Sequence, residues 1–193
     1  MKELLQAFLP DYLRIVEPDL VDHLDFASLS FRDVEGLAPD LQDLVVAEVS
    51  TCEKERATVL VLIAAEAPGP RDVARRLKRL FDVLEIRLGR PVLMSFLLFR
   101  GGRPGVNLET APVSALRGLA NVQVYYTAFS LEGSTAEYYL ERPEPLAWAL
   151  AAWMPSRRLD RSTLLEACRE RIRAADLELA LRRLLLDAVA DCR

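Results

Sequence analysis

The sequence predicts an α/β protein: a mixed central β-sheet flanked by helices, followed by a helical C-terminal extension. Three features predict it. Strand-like runs over 27–34, 43–50 and 56–66 follow one another with short links, the pattern of an antiparallel meander. An amphipathic helical stretch then separates the third run from a nearly continuous apolar run over 91–99. Strand, helix, strand implies a crossover that lays the fourth strand parallel to the third. The chain closes with two charged amphipathic helices beyond a polar segment over 155–160, which reads as a linker. The 193 residues therefore divide into a domain over 1–155 and an extension over 156–193.

Each element has its own signal. Leu4, Leu5, Phe8, Leu9, Tyr12, Leu13 and Val16 recur at helical spacing, with Pro10 expected to split or kink the helix. A short second helix is expected from Asp19 to Leu24 behind Pro18. Residues 27–34 alternate as a strand does, and 35–42, with Gly36 and Pro39, read as a turn. The next two strands are joined by the polar turn 51–55. Gly69 as an N-cap and Pro70 in the first turn open a helix to about Leu88, with Val73, Ala74, Leu77, Leu80, Phe81 and Leu84 on one face and Gly89 ending it. The apolar run over 91–99 suits a buried central strand. Residues 101–105 read as a loop and 121–129 as a further strand. Ser134 and Glu137 are spaced as a capping box. Residues 144–154 are apolar nearly all round, so that helix should be buried. Amphipathic helices are expected over 161–174 and 176–191.

Composition narrows the function classes. Hydrophobic residues make up 51% and charged residues 28%, which describes a packed core rather than a disordered chain. No apolar run is long enough to span a membrane, and the N-terminus carries an early acid without a small-residue cleavage site, so neither a membrane span nor a secretory signal is expected. Three cysteines without metal spacing fit a reducing, cytoplasmic setting. The single histidine, His23, excludes a His-His zinc site and lies in a short helix with no nucleophile motif beside it. A net charge of −4 argues against strong nonspecific DNA binding, although a local basic face could still supply it.

Two acids stand out. Glu66 ends the most hydrophobic run in the chain, and Asp43 opens the preceding strand. A carboxylate in such a place must be solvated, paired or bound to a cation. Acids on neighbouring strands are one way to hold Mg²⁺, with Mn²⁺ as a substitute, and such an ion could activate water against a phosphodiester. Two acids capping strands at the solvent edge account for the same spacing. The 70–88 helix carries Arg71, Arg75, Arg76, Lys78 and Arg79, either a phosphate-tracking face or a solvated flank, since Asp72, Asp82 and Glu85 interleave. Trp148 and Trp153 read as core or interface anchors. Gly101-Gly102-x-x-Gly105 follows a strand but opens no helix, so it is not a phosphate loop.

The order of motifs resembles the bacterial family of transposases and recombination-promoting nucleases with a PD-(D/E)XK-type core. The resemblance runs from Phe8-Leu9-Pro10-Asp11-Tyr12-Leu13 through Leu24-Asp25-Phe26, Asp43-Leu44-Val45, the strand ending at Glu66 and Val73-Ala74-Arg75-Arg76. It continues through Gly89-Arg90-Pro91-Val92 and the loop 100–106 to Tyr139-Leu140-Glu141-Arg142-Pro143-Glu144-Pro145-Leu146-Ala147-Trp148-Ala149-Leu150. It implies a restriction-endonuclease-like sheet, DNA as partner, and Asp43 and Glu66 as metal ligands; if the site is active, Arg75, Arg76 and Arg79 are candidate phosphate contacts and Glu35 a looser acidic candidate. The chain departs from the family pattern at Ala64, where histidine is usual, and at Pro68, where glutamine is usual. Position 68 would share a strand face with Glu66, and proline offers no polar group there. The expectation is a nuclease-like protein with a degenerate site. The alternative is a non-enzymatic protein that keeps the fold to bind nucleic acid or to form a homodimer through the 144–154 helix and the C-terminal helices.

Overall fold

A computed structural model describes residues 1–33, 43–67, 69, 72, 92–103, 105–113 and 122–192. The N-terminal apolar stretch forms two helices, α1 (Lys2–Ala7) and α2 (Leu9–Val16), which meet at Phe8. The break follows from Pro10, which sits in the first turn of α2, where its missing N–H is not needed. The short helix α3 (Pro18–Val21) starts in the same way on Pro18.

Six strands form one mixed sheet: β1 (Leu24–Phe31), β2 (Leu44–Thr51), β3 (Arg56–Glu66), β4 (Val92–Arg100), β5 (Gly105–Val113) and β6 (Val122–Ser130), in the order β1-β2-β3-β4-β6-β5. β1, β2 and β3 are the expected antiparallel meander, and β4 lies parallel to β3 as the crossover argument requires. β6 is parallel to β4, and β5 returns antiparallel along its outer edge.

Two strands depart from the sequence reading. β1 begins at Leu24 rather than 27, because its pairing with β2 is irregular between Asp25 and Ser30. Ser28 Oγ fills that irregularity, accepting from the Ser50 N–H at 2.7 Å and donating to the Asp25 carbonyl at 2.6 Å. Simple alternation cannot register such a shift. β5 was not expected at all. It carries Pro112, which an edge strand tolerates since, among the described residues, no strand pairs with its outer side. The expected turn over 35–42 and all of the expected 70–88 helix except Asp72, which is helical, lie outside the described residues.

The sheet is apolar on both faces. Val45, Ala47 and Val49 of β2, and Ala57, Val59, Val61 and Ile63 of β3, join Leu97 and Phe129 in one cluster with Leu5, Leu9 and Leu13 of the N-terminal helices. The alternate positions Leu44, Val46, Leu60 and Leu62, with Phe96, are equally buried on the opposite face. Burial on both faces is why these strands read as continuous apolar runs rather than alternating ones. A short polar row interrupts the helix-facing side. Tyr12 Oη lies 2.7 Å from Ser95 Oγ, and Thr127, the register partner of Ser95, donates to Glu17. These bonds tie α2 to β4 and β6, and burial pushes the Tyr12 hydroxyl pKa well up, which keeps it a neutral donor and acceptor.

Four more helices complete the described chain: α4 (Ala136–Leu140), α5 (Pro145–Ala151), α6 (Arg161–Ala174) and α7 (Leu179–Ala190). α5 is buried nearly all round, as its composition requires, with Leu146, Ala147, Ala149, Leu150 and Ala151 fully covered. Its apolar surface is therefore consumed within one copy of the chain. Leu164, Cys168 and Ile172 of α6, and Leu185 and Val189 of α7, belong to the same cluster as α1, α2 and the sheet.

The capping box at Ser134 and Glu137 does not form. Thr135 is the N-cap of α4, and the Ser134 hydroxyl donates to the Ser130 carbonyl at 2.5 Å. Glu137 turns instead to the segment read as a linker. Its Oε1 accepts from Ser156 Oγ at 2.7 Å and from the Arg157 and Arg158 N–H groups at 2.9 and 2.8 Å. Two residues on, Asp160 caps α6, accepting from the Thr163 N–H at 2.9 Å. Segment 155–160 is thus a bonded strap that sets where α6 begins.

Two predictions follow from this packing. Tyr12→Phe leaves the Ser95 hydroxyl buried without its partner and should cost about 1–3 kcal/mol in urea unfolding. The Ser156 hydroxyl and the strap N–H groups lower the Glu137 carboxyl from its ordinary 4.5 to about 2, and the Ser162 and Thr163 groups lower Asp160 from 3.8 to about 2. A depressed folded value stabilises fully above the unfolded value and is lost as pH falls through the folded one. Stability should therefore drop between about pH 4.5 and 2, and Glu137→Gln should flatten that limb of a pH-dependent thermal melt.

Candidate functional site

The β2–β3 register decides where the two acids go. Asp43 is exposed in the turn before β2, and its carbonyl accepts the Ile63 N–H at 2.9 Å, which continues the β2–β3 ladder by one residue. Asp43 therefore pairs with Ile63 and shares the parity of Val45 and Ala47, the helix-facing side. Glu66 is the exposed last residue of β3, three positions beyond Ile63, or roughly 10 Å along the strand. It has the parity of Leu62 and Ala64, the opposite side. The fold brings both acids to one end of the sheet, but the register assigns them to opposite faces. Among the described residues, no three His, Cys, Asp or Glu side chains gather where they could hold a metal ion.

The residue that does share a face with Glu66 is Arg100. The parallel β3–β4 register runs Leu62 to Phe96, Ala64 to Leu98 and Glu66 to Arg100. Each of the two buried runs ends in a charge at the same level, and both charges are exposed. This neighbour was legible in principle: a run over 57–65 closed by Glu66 and a run over 92–99 closed by Arg100 are nearly equal in length. What was missing was the parallel register that sets them side by side.

The loop after Arg100 is fastened to the end of β6. The Gly101 N–H donates to Glu132 at 2.7 Å, Ser130 Oγ donates to the Gly101 carbonyl at 2.7 Å, and the Leu131 N–H donates to the Leu98 carbonyl at 2.9 Å. Gly101 and Gly102 adopt φ of 68° and 78°, the left-handed region that glycine enters without steric cost. A Cβ on Gly102 would also stand 3.0 Å from Leu98 Cδ1.

The remaining sequence candidates are placed as follows. Glu35, Pro68, Arg75, Arg76 and Arg79 lie outside the described residues. His23 is exposed in the turn before β1, where its carbonyl accepts the Cys52 N–H at 2.9 Å. Both tryptophans are anchors: Trp148 Nε1 donates to the Arg142 carbonyl at 2.7 Å, and Trp153 meets Phe99 edge to face at 5.0 Å.

The stretch over 139–150 is tied into the fold by its own polar side chains. Arg142 grips Glu144 with two bonds, Nε to Oε2 at 2.9 Å and Nη2 to Oε1 at 3.1 Å, and reaches the Arg14 carbonyl of α2 at 3.3 Å. Burial would raise the Glu144 carboxyl pKa, but the guanidinium outweighs it and holds the group below its ordinary range. This clamp ties the turn before α5 to the N-terminal helices.

Comparisons with protein-family models, curated proteins and solved structures find no match to this chain. No helix among the described residues is long and apolar enough to cross a membrane.

Gly102→Ala should destabilise the chain by about 1–2 kcal/mol through the left-handed backbone alone, with the Leu98 contact adding to it. A urea titration beside Gly69→Ala, whose Cβ would meet nothing closer than 3.7 Å, separates the effect from a general loss of glycine.

Proposed function

We propose that this chain is a nuclease-like protein, related to transposon-associated nucleases, in which the hydrolytic site is degenerate and the sheet end is kept for holding DNA. The observation that carries this reading is the β2–β3 register, which leaves Asp43 and Glu66 on opposite parities at one end of the sheet. Three helices followed by an antiparallel meander and a parallel fourth strand support a restriction-endonuclease-like scaffold. Phosphodiester hydrolysis on such a scaffold relies on an ion that activates water and offsets charge at phosphorus. Here the same-face neighbour of Glu66 is a guanidinium, and the family's polar residue at position 68 is proline. Asp43 and Glu66 are then remnants of a metal site. The homodimer alternative draws no support from α5, whose side chains are buried in the monomer.

The test is cleavage of plasmid and single-stranded DNA with Mg²⁺ or Mn²⁺. Wild type should show no more cleavage than Asp43→Ala or Glu66→Ala, and Pro68→Gln should restore none. Wild-type cleavage that disappears in both alanine variants would overturn the proposal.

A further inference from the structure

We infer that Arg100 is a metal-independent contact for a DNA phosphodiester, with Glu66 beside it as the charge that limits its strength. The inference rests on the nuclease-like reading for the identity of the polymer. The chemistry rests on the sheet end itself.

Arg100 and Glu66 are register partners on parallel strands, whose neighbours lie about 4.8 Å apart. Both are exposed, and among the described residues neither side chain makes an ion pair or hydrogen bond. An exposed guanidinium presents a rigid fork of N–H donors that matches two phosphate oxygens, a geometry available without any metal. The root of this arm is held. Leu98 and Gly101 are bonded to the end of β6, and the glycine turn that follows is closed by Leu98 and Ser130. A donor presented from a fixed backbone loses less freedom on binding than one on a loose loop.

The surrounding charges give the inference its distinguishing sign. Glu132 has one carboxylate oxygen engaged by the Gly101 N–H at 2.7 Å. Glu66 is the exposed register partner of Arg100, so its carboxylate lies near any anion that approaches Arg100. In a metal-dependent site, removing Glu66 would weaken binding or chemistry. In a site built on Arg100, removing the Glu66 charge strengthens binding.

Fluorescence anisotropy with two labelled DNA duplexes of unrelated sequence, in EDTA and then in Mg²⁺, tests this. Arg100→Ala should weaken both duplexes equally, by about tenfold, and lower the salt slope by about one. Arg100→Lys should keep part of the affinity, and Glu66→Gln should tighten binding in EDTA by about threefold. Both positions are exposed, and thermal melts matching wild type would confirm folded variants. The inference is overturned if wild type does not bind in EDTA, if Arg100→Ala binds as wild type, if Glu66→Gln weakens binding, or if Mg²⁺ is required. Metal-dependent cleavage would sink the non-hydrolytic reading instead, and the EDTA arm, where no such cleavage runs, still decides the role of Arg100.

Discussion

Strand β3 is buried on both faces, and the rest of the described chain depends on that burial. Its residues Ala57 to Ala64 are covered without interruption, alternately toward the helices and away from them. A strand in that position cannot slip, because a one-residue shift would exchange two fully packed faces at once. β2 is held antiparallel on one side of β3 and β4 parallel on the other. Once these registers are set, the level and face of every charge at the strand ends are set with them.

The helical layer is held by polar contacts placed at its junctions, with apolar packing between. Tyr12 to Ser95 fixes α2 over β4, and Arg142 to Glu144 fixes the turn before α5 against α2. Glu137 draws in the strap that positions α6. The Tyr12–Ser95 bond spares two buried hydroxyls the cost of going without a partner. The stretch over 139–150 belongs to this system. Its Arg142–Glu144 clamp marks how the fold is locked.

At the sheet end, Gly101 is bonded to Ser130 at the end of β6 and to Glu132 just beyond it, and the carboxyl ends of β3, β4 and β6 lie together. Asp43 and Glu66 are both there with opposite parities, and the parallel register sets Glu66 next to Arg100.

The amino-acid sequence by itself determined the class of fold, the meander, the parallel fourth strand, the split at Pro10 and the burial of α5. Those outcomes rest on local periodicity and on proline, and both act over a few residues. Alternation missed the start of β1 because a serine side chain fills a pairing irregularity there, and it missed β5 because an edge strand needs no strong apolar pattern. The capping box failed because Glu137 found donors about 20 residues away that no local rule can weigh. Asp43 and Glu66 were legible as acids at strand ends. Which face each took, and that Arg100 stands beside Glu66, only the tertiary structure decided. Register is a property of two strands at once, and pairing partners 34 residues apart leave no trace in the spacing of either.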